Sequence, residues 1–412
     1  MQFLISAGEA SGDLHGANLI RALRSQNSDT QFIGFGGSAM AEAGCRLIAP
    51  LCDWSLMWFK AYRRYFELRR LIRTADGLFR SGRIDAVVLI DFPGFNWHLA
   101  RYAHQRGVPV FYFVPPQLWA WGAWRVRKMR RWVDHVLCAL PFEYTWFARR
   151  GVNAQYIGHP YFDALAEHSV DQSFIEAQRV KPGRLIALLP GSRHVELEYN
   201  LSTILRAAKI LRQKHADVRF LAAALNEQFR REIAAHPDAA ALPLEICVGR
   251  TSEILKLSHA AIAVSGSVGL ELLYHRVPSV ITYRVHKLGW LLSRVLKKTP
   301  WISLVNLLAN STVFPEFLRH RCAAGEIAAG VDEWLGDPAK ASAIRDRLQQ
   351  LCDSYAQPGA CRRAAALILD QLADDRTDAS RVVFSGRCSS EIELRRNRVD
   401  SLIADAGRQK QI

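Results

Sequence analysis

Phe3-Leu4-Ile5-Ser6-Ala7-Gly8-Glu9-Ala10-Ser11-Gly12-Asp13-Leu14-His15-Gly16 is an apolar run that breaks into a small, polar, glycine-rich loop. Ala17-Asn18-Leu19-Ile20-Arg21-Ala22-Leu23 follows at helical spacing. Together these pieces form the first strand-loop-helix unit of an α/β domain. Ligands of such sheets gather at the carboxyl ends of strands, where this loop falls. Two readings of the loop stand side by side: a wall of a ligand site, or a tight turn in which Ser11 or Asp13 caps the helix.

The same alternation continues outward. Strand-like apolar runs recur at 32–34, 86–90, 108–114, 133–140 and 154–157, and again at 185–189, 218–224, 244–248, 260–264 and 279–283, with amphipathic helical stretches between them. Such spacing implies parallel sheets built from right-handed crossovers. The polar stretch 158–183, with Pro160 and Pro182, is the expected linker. The predicted fold is therefore α/β, with two Rossmann-like, doubly wound domains at 1–165 and 166–374 facing a cleft. Helical periodicity continues past Pro338 to about residue 372, and 375–412 reads as a disordered or loosely attached basic tail.

A chain of 412 residues can bury two cores, and its net charge of +15 calls for an anionic partner or substrate. Part of the excess is concentrated where Trp58 and Phe66 alternate with Arg63, Arg64, Arg69 and Arg70. A second basic group, Arg125, Arg127, Lys128, Arg130 and Arg131, follows Trp119, Trp121 and Trp124. Aromatic rings mixed with cations suit a surface resting on anionic lipid; single-stranded nucleic acid is the competing ligand. No nucleic-acid motif is present, so none is expected as a partner. The apolar runs fall short of the roughly 20 residues that span a bilayer, and no export signal opens the chain, which predicts a cytoplasmic protein. The eight scattered cysteines read as reduced thiols, and no metal is expected.

Four stretches carry candidate chemistry. Asp91 directly follows the apolar run 86–90 and sits in Asp91-Phe92-Pro93-Gly94-Phe95-Asn96; it reads either as a partly desolvated base or as a turn aspartate. In Leu189-Pro190-Gly191-Ser192-Arg193, a strand ends in a tight turn before a helix from about residue 195, so backbone N–H groups and the Arg193 guanidinium could hold a diphosphate. Val264-Ser265-Gly266-Ser267-Val268-Gly269-Leu270-Glu271 repeats the pattern. Glu271 there either complements the helix dipole or accepts the vicinal hydroxyls of a ribose. Asn306 is the one amide in an apolar run and needs partners from backbone or ligand. No P-loop, no Gly-x-Ser-x-Gly and no Asp-x-Asp pair occurs, so diphosphate charge would rest on Arg193 and helix N-termini.

In this order these stretches, with Trp119-Ala120-Trp121, Leu140-Pro141-Phe142-Glu143, Gly158-His159-Pro160 and Asn306-Leu307-Leu308-Ala309, resemble the lipid-A-disaccharide synthases over roughly residues 1–372. The resemblance implies the GT-B glycosyltransferase fold and a metal-independent, inverting transfer without cofactor. In that transfer 2,3-diacylglucosamine moves from UDP to the 6-hydroxyl of 2,3-diacylglucosamine 1-phosphate, giving a β-1,6 disaccharide and UDP. It implies Asp91 as general base, and Gly191, Ser192, Arg193, Ser265, Gly266, Ser267, Glu271 and Asn306 as donor residues. The carboxylates of Glu9 and Asp13 would repel a diphosphate, so Gly8, Glu9, Ser11, Gly12, Asp13 and Asn96 are expected on the acceptor side. It further implies a peripheral enzyme on the inner face of the inner membrane, and allows a homodimer without requiring one. Ser267 in place of a common threonine, Val305 in place of a usual proline, and Pro115-Pro116-Gln117 depart from the family pattern. The alternatives are a UDP-sugar epimerase of similar fold and a non-catalytic nucleotide-sugar binder.

Overall fold

The computed structural model describes the backbone of residues 1–54, 61–287, 289–291 and 299–384, and the side chains among them except at 53–65 and 375–384. The first sheet contains β1 (Gln2–Ser6), β2 (Gln31–Phe35), β3 (Cys45–Ala49), β4 (Ala86–Ile90), β5 (Val110–Phe113), β6 (His135–Cys138) and β7 (Ala154–Tyr156), in the order β3-β2-β1-β4-β5-β6-β7. All its pairs are parallel. Helices on both faces explain why its central strands are apolar without alternation: β4 is buried at every position.

The second sheet contains β8 (Arg184–Leu189), β9 (Val218–Ala224), β10 (Leu244–Val248), β11 (Ala260–Val264), β12 (Ser279–Arg284) and β13 (Glu316–Arg319), again all parallel, in the order β10-β9-β8-β11-β12-β13. In each sheet the strand order reverses beside the first strand, at β1/β4 and at β8/β11. The carboxyl ends at such switch points form the crevice that binds ligands. Asp91 follows β4, and Ser265 follows β11.

Strands β3 and β13 have no counterpart in the apolar-run reading. Both are edge strands, partly exposed, so neither needs a continuous apolar run. The expected linker 158–183 is instead two helices, Pro160–Glu167 and Gln172–Arg179, which bury Phe162 and Ile175. Pro160 begins the first of these, where its missing N–H costs nothing, and His159 caps it through Nδ1, which accepts from the Tyr161 N–H. The expected boundary at 165/166 falls inside that helix. Asp163 on the same helix accepts the backbone N–H groups of Gly359, Ala360 and Cys361 at 2.6–3.0 Å, tying it to a segment near the far end of the chain.

Contacts divide the chain into a compact unit Met1–Ala364, which holds both sheets, and a second unit Ala365–Ile412. The helix Ala360–Phe384 passes from one to the other and runs beyond Asp375; the rest of the expected tail lies outside the described residues. Among the described residues no helix is long and apolar enough to cross a membrane.

The opening helix, Ala10–Gln26, starts one residue before Ser11, so neither Ser11 nor Asp13 caps it. Asp13 is buried and turns to another element. Its Oδ1 accepts from the N–H groups of Gly37 (2.7 Å) and Met40 (3.1 Å), and its Oδ2 from Ala39 (3.0 Å), closing the start of the helix Ser38–Glu42. The expected acceptor-side role of Asp13 is therefore corrected: its carboxylate is committed to the backbone. Asp13→Ala strands three N–H donors in the interior and should cost about 3 kcal/mol. A lower urea midpoint at unchanged slope is the expected readout, and Asp13→Asn, which keeps one acceptor oxygen, should lose less.

Candidate active site

Asp91 sits on an unusual piece of backbone. Asp91 and Phe92 both take left-handed conformations, with φ of 39° and 44°, immediately before Pro93 opens the helix Pro93–Gln105. Two side chains hold the kink. Tyr112 donates its hydroxyl to the Asp91 carbonyl at 2.6 Å, and Asn96 Nδ2 donates to the carbonyls of Asp91 (2.8 Å) and Ile90 (3.1 Å). Asn96 Oδ1 in turn accepts from the Ser6 hydroxyl at 2.7 Å, joining the ends of β4 and β1. Asn96 is fully buried, so its expected place among the acceptor-facing residues is corrected: it shapes the loop that carries Asp91.

The opening loop packs directly on this kink. A Cβ on Gly8 would lie 2.2 Å from the Phe92 ring, so only glycine permits the approach. Gly12 is buried behind the loop, close to Ile90, and Ser11 is exposed. Glu9 reaches towards the second sheet, where its Oε2 accepts from Arg193 Nη2 at 2.7 Å.

Asp91 stays open to water, yet the walls around it strip enough hydration to push its carboxyl up to about 6. Burial is the largest cause and the Glu9 carboxylate acts in the same direction, while the Phe92 N–H and Arg193 pull the other way. A carboxylate that titrates near 6 is a competent proton acceptor at neutral pH.

Across the cleft, Gly191 has φ of 112°, and the helix His194–Lys214 begins just after Arg193. The two backbone N–H groups expected to meet an anion are already engaged: those of Ser192 and Arg193 donate to Glu196 Oε2 at 3.0 and 3.2 Å. The Arg193 guanidinium is exposed and lies between Glu9 and Glu196.

At the end of β11, Ser265 donates its hydroxyl to the Ile302 carbonyl, while Gly266 and Ser267 are exposed. Glu271 is buried, with its two oxygens accepting from the hydroxyls of Ser252 (2.6 Å) and Tyr161 (3.0 Å). Burial pushes its carboxyl up against the opposing pull of those two hydroxyls. Both oxygens are thus internally partnered, each by one hydroxyl.

Asn306 lies not in a strand-end loop but in the short helix Leu304–Ala309, capped by Ser303. Its Oδ1 accepts from the N–H groups of Val313 and Phe314, and its Nδ2 donates to the Phe314 carbonyl and to Glu316. Fully buried and fully bonded, it aligns the approach to β13 and is corrected from ligand contact to scaffold.

Other quoted motifs also prove architectural. Buried Glu143 accepts from Trp119 Nε1 and from the Ala139 N–H. Its burial outweighs these hydrogen bonds and raises its carboxyl to about 8. Sequence reading missed Tyr112, Tyr161 and Ser252, because a hydroxyl whose partner lies far along the chain leaves no local signal.

Of the expected lipid-facing residues, Phe66, Arg69 and Arg70 are exposed on the helix Ala61–Arg80. Trp58 and the side chains of Arg63 and Arg64 lie outside the described residues.

The lipid-A-disaccharide synthetase family model matches residues 3–370. The lipid-A-disaccharide synthase of Trichlorobacter lovleyi is 33% identical over 372 residues, covering 90% of this chain and 97% of that protein. That of Syntrophus aciditrophicus is 36% identical over 373 residues, covering 89% and 96%. In fold, the chain is similar to UDP-GlcNAc 2-epimerase from Neisseria meningitidis bound to UDP-GlcNAc, with a TM-score of 0.60 at 11% identity and coverage of 91% and 100%. It is also similar to MurG from Acinetobacter baumannii, with a TM-score of 0.57 at 12% identity and coverage of 90% and 98%. The architecture is that of the GT-B glycosyltransferases and UDP-sugar epimerases.

The electrostatics around Asp91 can be measured without any substrate. Carboxyl NMR should place its midpoint near 6; Glu9→Gln should lower that midpoint and Arg193→Ala should raise it, because the two neighbours bias the proton in opposite senses.

Proposed function

The chain belongs to the lipid-A-disaccharide synthetase family and is a disaccharide-forming glycosyltransferase; on that premise we propose how its residues divide the reaction. The donor is a UDP-linked 2,3-diacylglucosamine, and the acceptor is 2,3-diacylglucosamine 1-phosphate. The half built on the first sheet takes the acceptor, and the half built on the second takes UDP. Asp91 removes the proton of the acceptor 6-hydroxyl as that oxygen attacks the anomeric carbon; the bond to UDP breaks on the opposite face, giving the β linkage. The carboxylate held on the left-handed kink, pushed up to about 6, is the observation that carries this assignment.

Arg193 then meets the charge that develops on the departing diphosphate, with Gly266 and Ser267 lining the nucleotide side. Arg193 is paired with Glu9, and both partners are partly exposed. Such a pair is worth about 0–1 kcal/mol, whereas a charge-assisted bond to a phosphate contributes about 1.5–3 kcal/mol. The diphosphate therefore wins Arg193 from Glu9. Gly8 and Glu9 stay beside Asp91 on the acceptor side. An epimerase reading rests on fold likeness at 11% identity, while the synthetase family covers residues 3–370.

Both substrates carry acyl chains, so the enzyme works at the membrane surface, approached through the exposed, basic helix Ala61–Arg80 with Phe66, Arg69 and Arg70. Its placement is peripheral and cytoplasmic.

Mass spectrometry of the product formed from UDP-2,3-diacylglucosamine and 2,3-diacylglucosamine 1-phosphate tests the reaction; absence of a disaccharide would sink it. Asp91→Asn should reduce turnover about 10²- to 10⁴-fold while leaving UDP binding intact, and near wild-type turnover would remove Asp91 as base. Calorimetric titration should show UDP binding by Arg193→Ala weakened about 10- to 100-fold. Sedimentation with anionic vesicles should fall when Phe66, Arg69 and Arg70 are replaced together, and fall for the wild type as salt rises.

A further inference from the structure

A second concavity lies beside the Asp91 loop. A cavity of about 500 Å³ is floored by Pro93 and Gly94, two and three residues past Asp91, and walled by the helix Pro93–Gln105 and the segment 121–132. Its lining includes Arg101, Arg125 and Lys128 and no carboxylate. His98 also lines it and is held below the usual histidine range, first by burial and then by Lys128 and Arg101, so these two cations act on the same space.

Two buried donors in this lining have no hydrogen-bond partner. Trp97 is 6% exposed and its indole N–H meets no acceptor, and the Nε–H of Arg125 is likewise unsatisfied. Three cations and no carboxylate around one concavity call for a ligand made of acceptor oxygens. The aromatic surfaces complete the specification. Arg125 stacks on Trp121 at 4.5 Å, and Trp121 itself is 60% exposed. The Lys128 ammonium lies 5.9 Å from the rings of both Trp97 and Trp132. Cations fixed on tryptophan faces, with an exposed indole at the rim, suit an anion carried by an amphipathic molecule.

We propose that this cavity binds the phosphate monoester of the acceptor, so that Arg101, Arg125 and Lys128 recognise the phosphate while Asp91 meets the hydroxyl. The inference rests on Asp91 facing the acceptor. Its source is the substrate and not a bilayer phospholipid, because Pro93 and Gly94, which follow Asp91 closely in the chain, line the cavity.

The test compares 2,3-diacylglucosamine 1-phosphate with its dephosphorylated counterpart as acceptors in detergent micelles. The wild type should prefer the phosphorylated acceptor in kcat/KM; Arg101→Ala/Lys128→Ala should lower that preference at least 10-fold, through KM of the phosphorylated acceptor. An equal loss with both acceptors, or no loss, overturns the proposal. A readout independent of turnover uses Asp91→Asn protein: the phosphorus-31 resonance of the acceptor should broaden on binding, and the added double substitution should abolish the broadening. Full turnover by Asp91→Asn would remove the base assignment yet leave this binding result standing. Should the double variant lose binding to anionic vesicles lacking acceptor as severely as it loses acceptor, the cavity is a phospholipid site and the proposal fails.

Discussion

The site depends on a backbone that two residues would not adopt unaided. Left-handed conformations at non-glycine positions cost roughly 1–3 kcal/mol each, and Asp91 and Phe92 take them in succession. Tyr112 and Asn96 offset that cost by bonding the carbonyls the kink exposes. The kink lifts the Asp91 carboxylate off the end of β4 into the crevice and sets where the helix Pro93–Gln105 starts. That start in turn fixes the floor of the aromatic, cationic cavity. Gly8 is the counterpart on the neighbouring strand-end loop, since any side chain there would strike Phe92. Asp91, the neighbouring Glu9 and the cavity thus share one local distortion.

Much of the scaffold was legible in the sequence, because a strand covered on both faces must be apolar throughout. Hence β4, β8 and β11 announce themselves, while the partly exposed edge strands β3 and β13 do not. The helices of 158–183 were hidden by their length: each is eight residues, too short for periodicity to outweigh the prolines and polar residues around it.

The site was legible in position more than in role. A polar residue in an apolar setting signals that it needs partners, and the signal is the same whether these are ligand atoms or backbone groups. Asn306 stood out for that reason, Asp13 and Asn96 through the motifs that carry them, and all three spend their hydrogen bonds on the protein. Asp91 differs in one respect that no local pattern encodes. Its carbonyl takes the bonds from Tyr112 and Asn96, which leaves its carboxylate open to water. The cavity was hidden for a similar reason: Trp97 and Arg125 are far apart in sequence, and the second basic group alone looks like a solvated face.

The placement of Arg193 has a consequence for the order of events. Arg193 lowers the proton affinity of Asp91, and Glu9 raises it. If, as proposed, the donor diphosphate takes Arg193, that guanidinium is neutralised by the ligand, and Glu9, released from its ion pair, acts on Asp91 with less compensation. Each change moves the Asp91 pKa upward and so strengthens it as a base. The gain holds only while the pKa stays below the working pH, because a protonated Asp91 accepts nothing. An acceptor phosphate held as proposed among Arg101, Arg125 and Lys128 would add little net negative charge to that balance. Arg101, Arg125 and Lys128 would therefore serve the base as well as the acceptor, by keeping a second anion from pushing Asp91 past the point where it can still take the proton.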